Sequence, residues 1–124
     1  MNMSQKVTKE IKVNDCIFCG IAQGSIKSET VYSDRDVVAF NDINAQAPVH
    51  VVVIPRQHIE KPEAAKDCGI FSCLFEAVNK IVREKGIDKD GFRVVVNSGR
   101  DAGQTVPHLH LHILSGRVFN WPPG

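Results

Sequence analysis

The sequence predicts an α+β fold in which a five-stranded antiparallel sheet carries one long and one short helix. Two observations lead to this class: five short segments have the composition of strands, and a single long segment has helical periodicity. The connections between strands are mostly hairpin-sized, which argues against a regular alternation of strands and helices. A chain of 124 residues with 43% hydrophobic residues can bury one core. We therefore expect a flexible N-terminal segment, residues 1–14, followed by a single domain, residues 15–124.

The first three strands are predicted before the long helix. Segments Thr30–Tyr32 and Val37–Phe40 are rich in β-branched or aromatic residues, and the turn-forming residues between them indicate a hairpin. Segment Val49–Ile54 is apolar almost throughout, which is typical of a central strand, and Pro55 is expected to end it.

The long helix is predicted between Asp67 and Lys85. Its apolar residues recur at spacings of three and four, so they share one face, and Gly86 follows where a helix C-cap belongs. Phe92–Val96 is the fourth predicted strand, and the fifth is His108–Leu114. The sheet would thus receive three strands from the segment before the helix and two from the segment after it.

The charge balance limits the partners that we expect. Fifteen basic and fourteen acidic side chains leave a net charge of +1, which provides no broad field for nucleic-acid or membrane binding. No apolar run reaches membrane-spanning length, and Met1–Asp15 lacks the apolar core of a secretory signal. We therefore expect a cytoplasmic protein, with the nucleus as a second compartment, whose ligand binds in a local pocket.

Segment His108–Leu114 alternates imidazole and aliphatic side chains with a period of two. On a strand, His108, His110 and His112 would share one face, with neighbouring side chains about 6.6 to 7 Å apart. Two such imidazoles can bracket a phosphoryl group, one as nucleophile and one as acid. The alternatives are a polar strand face without chemistry, or three histidines that together hold zinc.

The loop Asn97–Pro107 precedes this histidine segment. It contains glycines, where the backbone can approach a phosphate closely, and it offers an amide and a hydroxyl that can stabilise transition-state oxygens. Arg100 in the same loop is expected to be solvated.

The four cysteines form two pairs. Cys16 and Cys19 are separated by two residues, a spacing that lets both thiolates reach one metal ion but that leaves two ligands to be found elsewhere. Cys68 and Cys73 do not share a helix face well, and we expect them only to pack. Without an export signal, reduced thiols are favoured over disulfides.

These motifs occur together with others in an order that identifies a family. The chain resembles the histidine-triad superfamily, and in particular its nucleotide-binding, phosphoramidase-type branch, from Cys16 to Gly124. Besides the triad, the matching stretches are Ala39–Ile43, Gln46–His50, Val53–Ile59, Val95–Gly99, Gly103–Thr105 and Trp121–Gly124.

The resemblance implies roles for individual residues. His110 would attack phosphorus, His112 would contact the phosphate and help the leaving group to depart, and His108 would support them. Asp42 would accept the ribose hydroxyls, a task suited to a carboxylate. His50 is expected to be a hydrogen-bonded supporting residue. The remaining substrate contacts would come from Phe40, Ile43, Asn97, Gly103, Gln104, Thr105 and Trp121.

The resemblance also implies a metal site and an assembly. In some members two cysteines, a histidine after the third strand and the first triad histidine hold a structural zinc, and here these would be Cys16, Cys19, His58 and His108. The alternative is unligated thiols. No cofactor is required for catalysis. A twofold homodimer is implied, and the aromatic, proline-containing C-terminal segment would dock across its interface.

The implied activity is that of a purine nucleoside phosphoramidase. It would hydrolyse the P–N bond of adenosine and guanosine 5'-phosphoramidates, including aminoacyl-type adducts, through a nucleotidyl intermediate on His110, and release AMP or GMP. One alternative is a dinucleoside polyphosphate hydrolase, which uses the same triad. Another is a nucleotide-binding regulatory or scaffold protein whose hydrolysis is incidental.

Overall fold

A computed structural model describes residues 15–124 of the protein, so the predicted N-terminal segment, residues 1–14, lies outside the described residues. Five strands and two α-helices are present in this part of the chain, with one short 3₁₀ turn. In chain order they are α1 (Ile17–Gln23), β1 (Thr30–Ser33), β2 (Val37–Asn41), β3 (Val49–Pro55), the 3₁₀ turn (Pro62–Ala64), α2 (Gly69–Lys85), β4 (Phe92–Val96) and β5 (Leu111–Ser115).

The strands form one five-stranded sheet in the order β1-β2-β3-β5-β4, and every neighbouring pair is antiparallel. The predicted α+β class is therefore confirmed. β3 occupies the centre, as its apolar sequence predicts, and its residues from His50 to Pro55 are buried. The edges of the sheet are β1 and β4.

The long helix α2 covers one face of the sheet. It ends at Gly86, whose φ of +71° is the left-handed conformation that a C-cap glycine adopts. Leu74, Val78 and Ile81 are among its buried side chains, and they belong to the same core as Val51 of β3 and Ile113 of β5. This layer is the main hydrophobic core of the described residues.

The two cysteines associated with α2 differ in burial. Both are free thiols, and Cys73 packs against the core while Cys68 is exposed at the N-terminal end of the helix.

The short helix α1 packs on the opposite face. Ala22 of α1 is buried with Val38, Phe40 and Val52 of the sheet in a second, smaller cluster. The two faces thus differ, because one is closed by a long helix and the other only partly by a short one. No helix within residues 15–124 is long and apolar enough to cross a membrane.

The last strand begins later than the sequence predicts, at Leu111 instead of His108. The reason is a change of partner: the Leu109 N–H donates to the Ile59 carbonyl oxygen, 2.6 Å away and beyond the end of β3, so this stretch is outside the ladder. The alternation nevertheless continues, since Leu109 lies in the core with Leu111. The three histidines therefore point away from α2, as expected.

Leu74→Ala should test the main core directly. Leu74 is completely buried, so the variant should lose about 2–5 kcal/mol of unfolding free energy because it removes apolar contacts and leaves a cavity. Urea denaturation measures this loss. Glu84→Ala, at an exposed position of the same helix, is the matched control and should change the midpoint little. Equal losses in the two variants would contradict the described packing.

Candidate active site and metal cluster

A cavity of about 650 Å³ opens on the face of the sheet that α2 leaves free. Its size is that of a small-molecule site. One end is apolar and is formed by side chains of α1, β2 and β3, and the other end is formed by imidazoles and the loop between β4 and β5. The residues that line the cavity include Phe18, Ile21, Phe40, Asp42, Ile43, His50, Val52, Asn97, Gly103, Thr105, His110 and His112.

Most of the sequence-predicted substrate residues meet in this cavity, but two do not line it. The Gln104 side chain is engaged by backbone groups: its Oε1 accepts from the Gly99 N–H at 2.9 Å, and its Nε2 donates to the carbonyl oxygens of Val106 in the same loop and of Glu60 in the segment after β3. Gln104 therefore shapes the loop. Trp121 is 84% exposed and does not line the cavity.

The loop between β4 and β5 is bent by glycine. Gly99 and Gly103 have φ values of +86° and +87°, in the left-handed region that residues with a Cβ rarely adopt. Because Gly103 and Thr105 line the cavity, the loop presents backbone and a hydroxyl there. Arg100 is exposed to solvent, as expected, and it pairs there with Asp101 at 3.0 Å.

The hydrogen bond of His110 fixes its tautomer. Its Nδ1 lies 2.7 Å from the carbonyl oxygen of His108, and a carbonyl can only accept, so Nδ1 carries the hydrogen. Nε2 of the neutral ring therefore keeps its lone pair. The ring is buried apart from the part that meets the cavity. The Nε2 lone pair of His110 is thus left available.

A chain of hydrogen bonds gives His112 the opposite tautomer. The Gln46 N–H donates to His50 Nδ1 at 3.0 Å, so His50 carries its hydrogen on Nε2, which lies 2.9 Å from His112 Nδ1. His112 accepts there, and its own hydrogen is on Nε2. Asp42 Oδ2 lies 3.3 Å from the same nitrogen, His50 Nε2, so this N–H faces both the Asp42 carboxylate and, at the shorter distance, His112 Nδ1.

Burial keeps these imidazoles neutral. Desolvation, with smaller contributions from His110 and His50, lowers the pKa of His112 to about 4. Burial also lowers the pKa of His50, against the opposing effect of the Asp42 carboxylate. At neutral pH His112 is therefore a hydrogen-bond donor through Nε2 without a positive charge.

A separate cluster joins Cys16, Cys19, His58 and His108, whose ligand atoms all lie within 4.8 Å of one another. The cysteines come from the start of α1, His58 follows β3, and His108 precedes β5. All except His58 are buried. The structure therefore brings together the four residues that the resemblance implies as metal ligands.

The geometry of this cluster fits a tetrahedral zinc ion. The sulfur–nitrogen distances are 3.3 Å from Cys16 to His108, 3.2 Å from Cys19 to His58 and 3.6 Å from Cys19 to His108. Zinc–sulfur bonds of about 2.3 Å and zinc–nitrogen bonds of about 2.0–2.1 Å give a tetrahedral edge of about 3.6 Å. The Nε2–H of His108 donates to the Pro55 carbonyl oxygen at 2.9 Å, so its Nδ1 lone pair faces the sulfurs.

A cation at this cluster would replace the proton of the Cys19 thiol. Burial, together with the adjacent Cys16 sulfur, raises the pKa of the Cys19 thiol to about 11. A cation coordinated by the sulfurs would stabilise the thiolate instead.

The sequence analysis missed part of the apolar wall. Phe18 and Ile21 of α1 line the cavity, and the Phe18 ring centroid lies 5.6 Å from that of Phe40 and 5.1 Å from that of His110. Their spacing of three residues next to the cysteine pair was the available signal, since it places both on one face of a helix.

Comparison with other proteins agrees with this description. Residues 23–119 match the model of the HIT domain family. An uncharacterised HIT-like protein of Synechocystis is 45% identical over 112 residues, which make up 89% of this chain and 97% of that protein. A 14 kDa zinc-binding protein of Zea mays is 40% identical, with 87% of each chain covered.

Solved structures show the same architecture. A HIT family hydrolase from Legionella pneumophila superposes with a TM-score of 0.86 and 38% identity, over 89% of this chain and all (100%) of that one. A histidine triad protein from Clostridium difficile has a TM-score of 0.83 and 48% identity, over 86% of this chain and 94% of that one. The chain therefore belongs to the HIT domain family, the histidine-triad superfamily that its sequence resembles.

Proposed function

We propose that the protein hydrolyses the P–N bond of purine nucleoside 5'-phosphoramidates through a nucleotidyl intermediate on His110. The observation that carries this proposal is the pair of opposite tautomers. His110 offers a lone pair on Nε2, His112 offers a hydrogen on Nε2, and their ring centroids are 5.0 Å apart in one cavity. The similarity to a HIT family hydrolase supports the reaction class.

The reaction would balance over two steps. In the first, His110 Nε2 attacks phosphorus, the P–N bond breaks, and the nitrogen leaves as an amine with a proton taken up from solvent, while the Nε2–H of neutral His112 donates a hydrogen bond to the reacting phosphoryl group and so helps the amine to depart. In the second, water attacks phosphorus, the bond to His110 breaks, and the proton of the water is released to solvent. The net reaction consumes one water and releases an amine and a nucleoside monophosphate.

The rest of the cavity suits a purine nucleotide, with AMP and GMP as products. Phe18 and Phe40 offer aromatic surface for a base. The Asp42 carboxylate is available to ribose hydroxyls, although its Oδ1 already accepts from the Asn44 N–H at 2.8 Å. The loop between β4 and β5, which contains Gly99 and Gly103, would contact the phosphate. A dinucleoside polyphosphate would place its second nucleoside outside this cavity, which favours the smaller substrate.

We also propose that Cys16, Cys19, His58 and His108 hold one structural zinc ion. The sulfur–nitrogen distances and the Cys₂His₂ donor set support this, as does the similarity to a zinc-binding protein of Zea mays. Four protein ligands leave no open position for water, so zinc would serve to pin the start of α1 to the chain before β5 and would supply no step of the reaction.

A twofold homodimer is the assembly that we propose. β4 is an edge strand of the sheet, and an unpaired edge favours association. Apolar side chains are exposed on this strand and on the C-terminal segment that follows β5, which supports an interface on this side. They are Phe92, Val96, Val118 and Trp121. Location in the cytoplasm stays a prediction from the sequence.

His110→Ala should abolish turnover of adenosine 5'-phosphoramidate, by at least about 10³-fold, because it removes the nucleophile. AMP affinity, measured by calorimetry, should be largely retained. More than a few per cent of residual turnover would remove His110 from this role.

The native protein should also turn over adenosine and guanosine phosphoramidates faster than diadenosine polyphosphate, and the reverse order would favour the polyphosphate hydrolase.

Asp42→Ala should erase a preference for ribose. The native protein should bind AMP more tightly than 2'-deoxy-AMP, since a hydrogen bond to a charged acceptor is worth about 1.5–3 kcal/mol. Asn44→Ala, at the same rim of the cavity, is the control and should keep the preference. If the native protein bound both nucleotides equally, Asp42 would not hold the sugar.

Zinc should be present at about one ion per chain in protein purified without chelator, as measured by elemental analysis. A Cys16→Ser, Cys19→Ser double variant should lose the metal and melt at a lower temperature. The Cys68→Ser, Cys73→Ser double variant is the matched control and should keep the metal. Equal metal content in the two double variants would show that Cys16 and Cys19 are ordinary thiols.

A further inference from the structure

Phe18 connects the metal cluster with the nucleophile. It lies in the first turn of α1, between Cys16 and Cys19, and its ring packs edge-to-face on His110 with a centroid distance of 5.1 Å and an interplanar angle of 83°. The same ring lies 5.9 Å from His108. A single side chain thus contacts a cluster ligand and the residue that attacks phosphorus.

His110 is held from two sides by the elements that form the cluster. Its Nδ1–H donates to the backbone carbonyl oxygen of His108, which is a cluster residue, and one side of its ring meets Phe18. The hydrogen bond fixes the tautomer, but it leaves the ring able to tilt about the N–H···O direction. The packing of Phe18 restricts that tilt and therefore the direction of the Nε2 lone pair.

The first turn of α1 depends on its cysteines for its position. The helix has seven residues, and a helix of this length is not stable by itself in water. Its last turn is anchored by the Arg56 guanidinium, which donates to the Ala22 carbonyl oxygen at 2.7 Å. Its first turn is fixed by the Cys16 and Cys19 side chains, which contact His58 and His108.

We propose that Phe18 is a positioning residue for His110, through which the Cys16, Cys19, His58 and His108 cluster sets the rate of attack on phosphorus. This inference rests on the proposed function, because it assigns to His110 the role of nucleophile. It gives the cluster a kinetic effect beyond the stability that a structural zinc provides. Small displacements of a reacting group are sufficient, since about 1 Å of misplacement costs on the order of 10²-fold in rate.

The kinetic test compares variants at two positions on the same wall of the cavity. Phe18→Leu should keep its zinc and lower the single-turnover rate of nucleotidyl-enzyme formation about 10- to 100-fold. Phe18→Tyr keeps the ring and should restore most of that rate. Ile21→Ala, one turn further along α1, should raise KM and leave the single-turnover rate within about twofold. Phe18→Met replaces Phe18→Leu in this comparison if the leucine variant loses its metal.

A second measurement does not need turnover. Nitrogen NMR of the imidazoles at one fixed pH should show a single, ordered Nδ1–H form of His110 in the zinc-loaded native protein. In zinc-loaded Phe18→Leu, and in the native protein after chelation, these signals should become averaged or multiple. Native protein that leaves phosphoramidates intact would remove the proposed function, and the NMR comparison would still test Phe18. Unchanged His110 signals in Phe18→Leu, or equal rate losses in Phe18→Leu and Ile21→Ala, would overturn the inference.

Discussion

The two-residue period of an extended chain is the constraint on which the rest of this structure depends. Between His108 and Ile113 it sends every aliphatic side chain into the core below α2 and every imidazole to the opposite face. Because the aliphatic side chains are buried, a shift of one residue would place imidazoles in the core. The packing that stabilises the sheet therefore also fixes the order and spacing of the reactive groups.

The same constraint gives the ring nitrogens of the three histidines different partners. His108 turns its Nδ1 to the cysteines, His110 turns a free Nε2 to the cavity, and His112 receives a hydrogen bond from His50. Each ring has one nitrogen engaged by a fixed partner, and that partner decides what the other nitrogen can do. Three residues of one type thus have three different environments and two tautomers, with the hydrogen on Nε2 in His108 and His112 and on Nδ1 in His110, which the alternating sequence pattern does not reveal.

Structural features that depend on the periodicity of the sequence could be predicted. Features that depend on a contact with a residue distant in the chain could not. The central position of β3 follows from its nearly continuous apolar run, and the extent of α2 follows from its spacing and Gly86. The late start of β5 does not, because it depends on the bond between Leu109 and Ile59, which are far apart in the chain. The hydrogen bonds of the Gln104 side chain do not follow from the sequence either, because one of them joins its loop to Glu60, a residue distant in the chain.

The candidate site was predicted residue by residue from the family resemblance, and the structure adds the relations between those residues. Phe18 and the bond from Gln46 to His50 were outside the predicted set, although Phe18 follows helical spacing and Gln46 stands in a stretch that matches the family. Both act by holding another side chain, and such roles become visible only when distances are known. The residues that react are therefore easier to predict than the residues that orient them.

Covalent attack by His110 is the central claim, and trapping the intermediate tests it most directly. Native protein would be mixed with adenosine 5'-phosphoramidate, quenched within one turnover at alkaline pH, where phosphohistidine survives, and digested for mass spectrometry. The account predicts an adenylyl group on the peptide that contains His108–Leu114, located on His110. Turnover without any covalent adduct, or an adduct on His112, would contradict it.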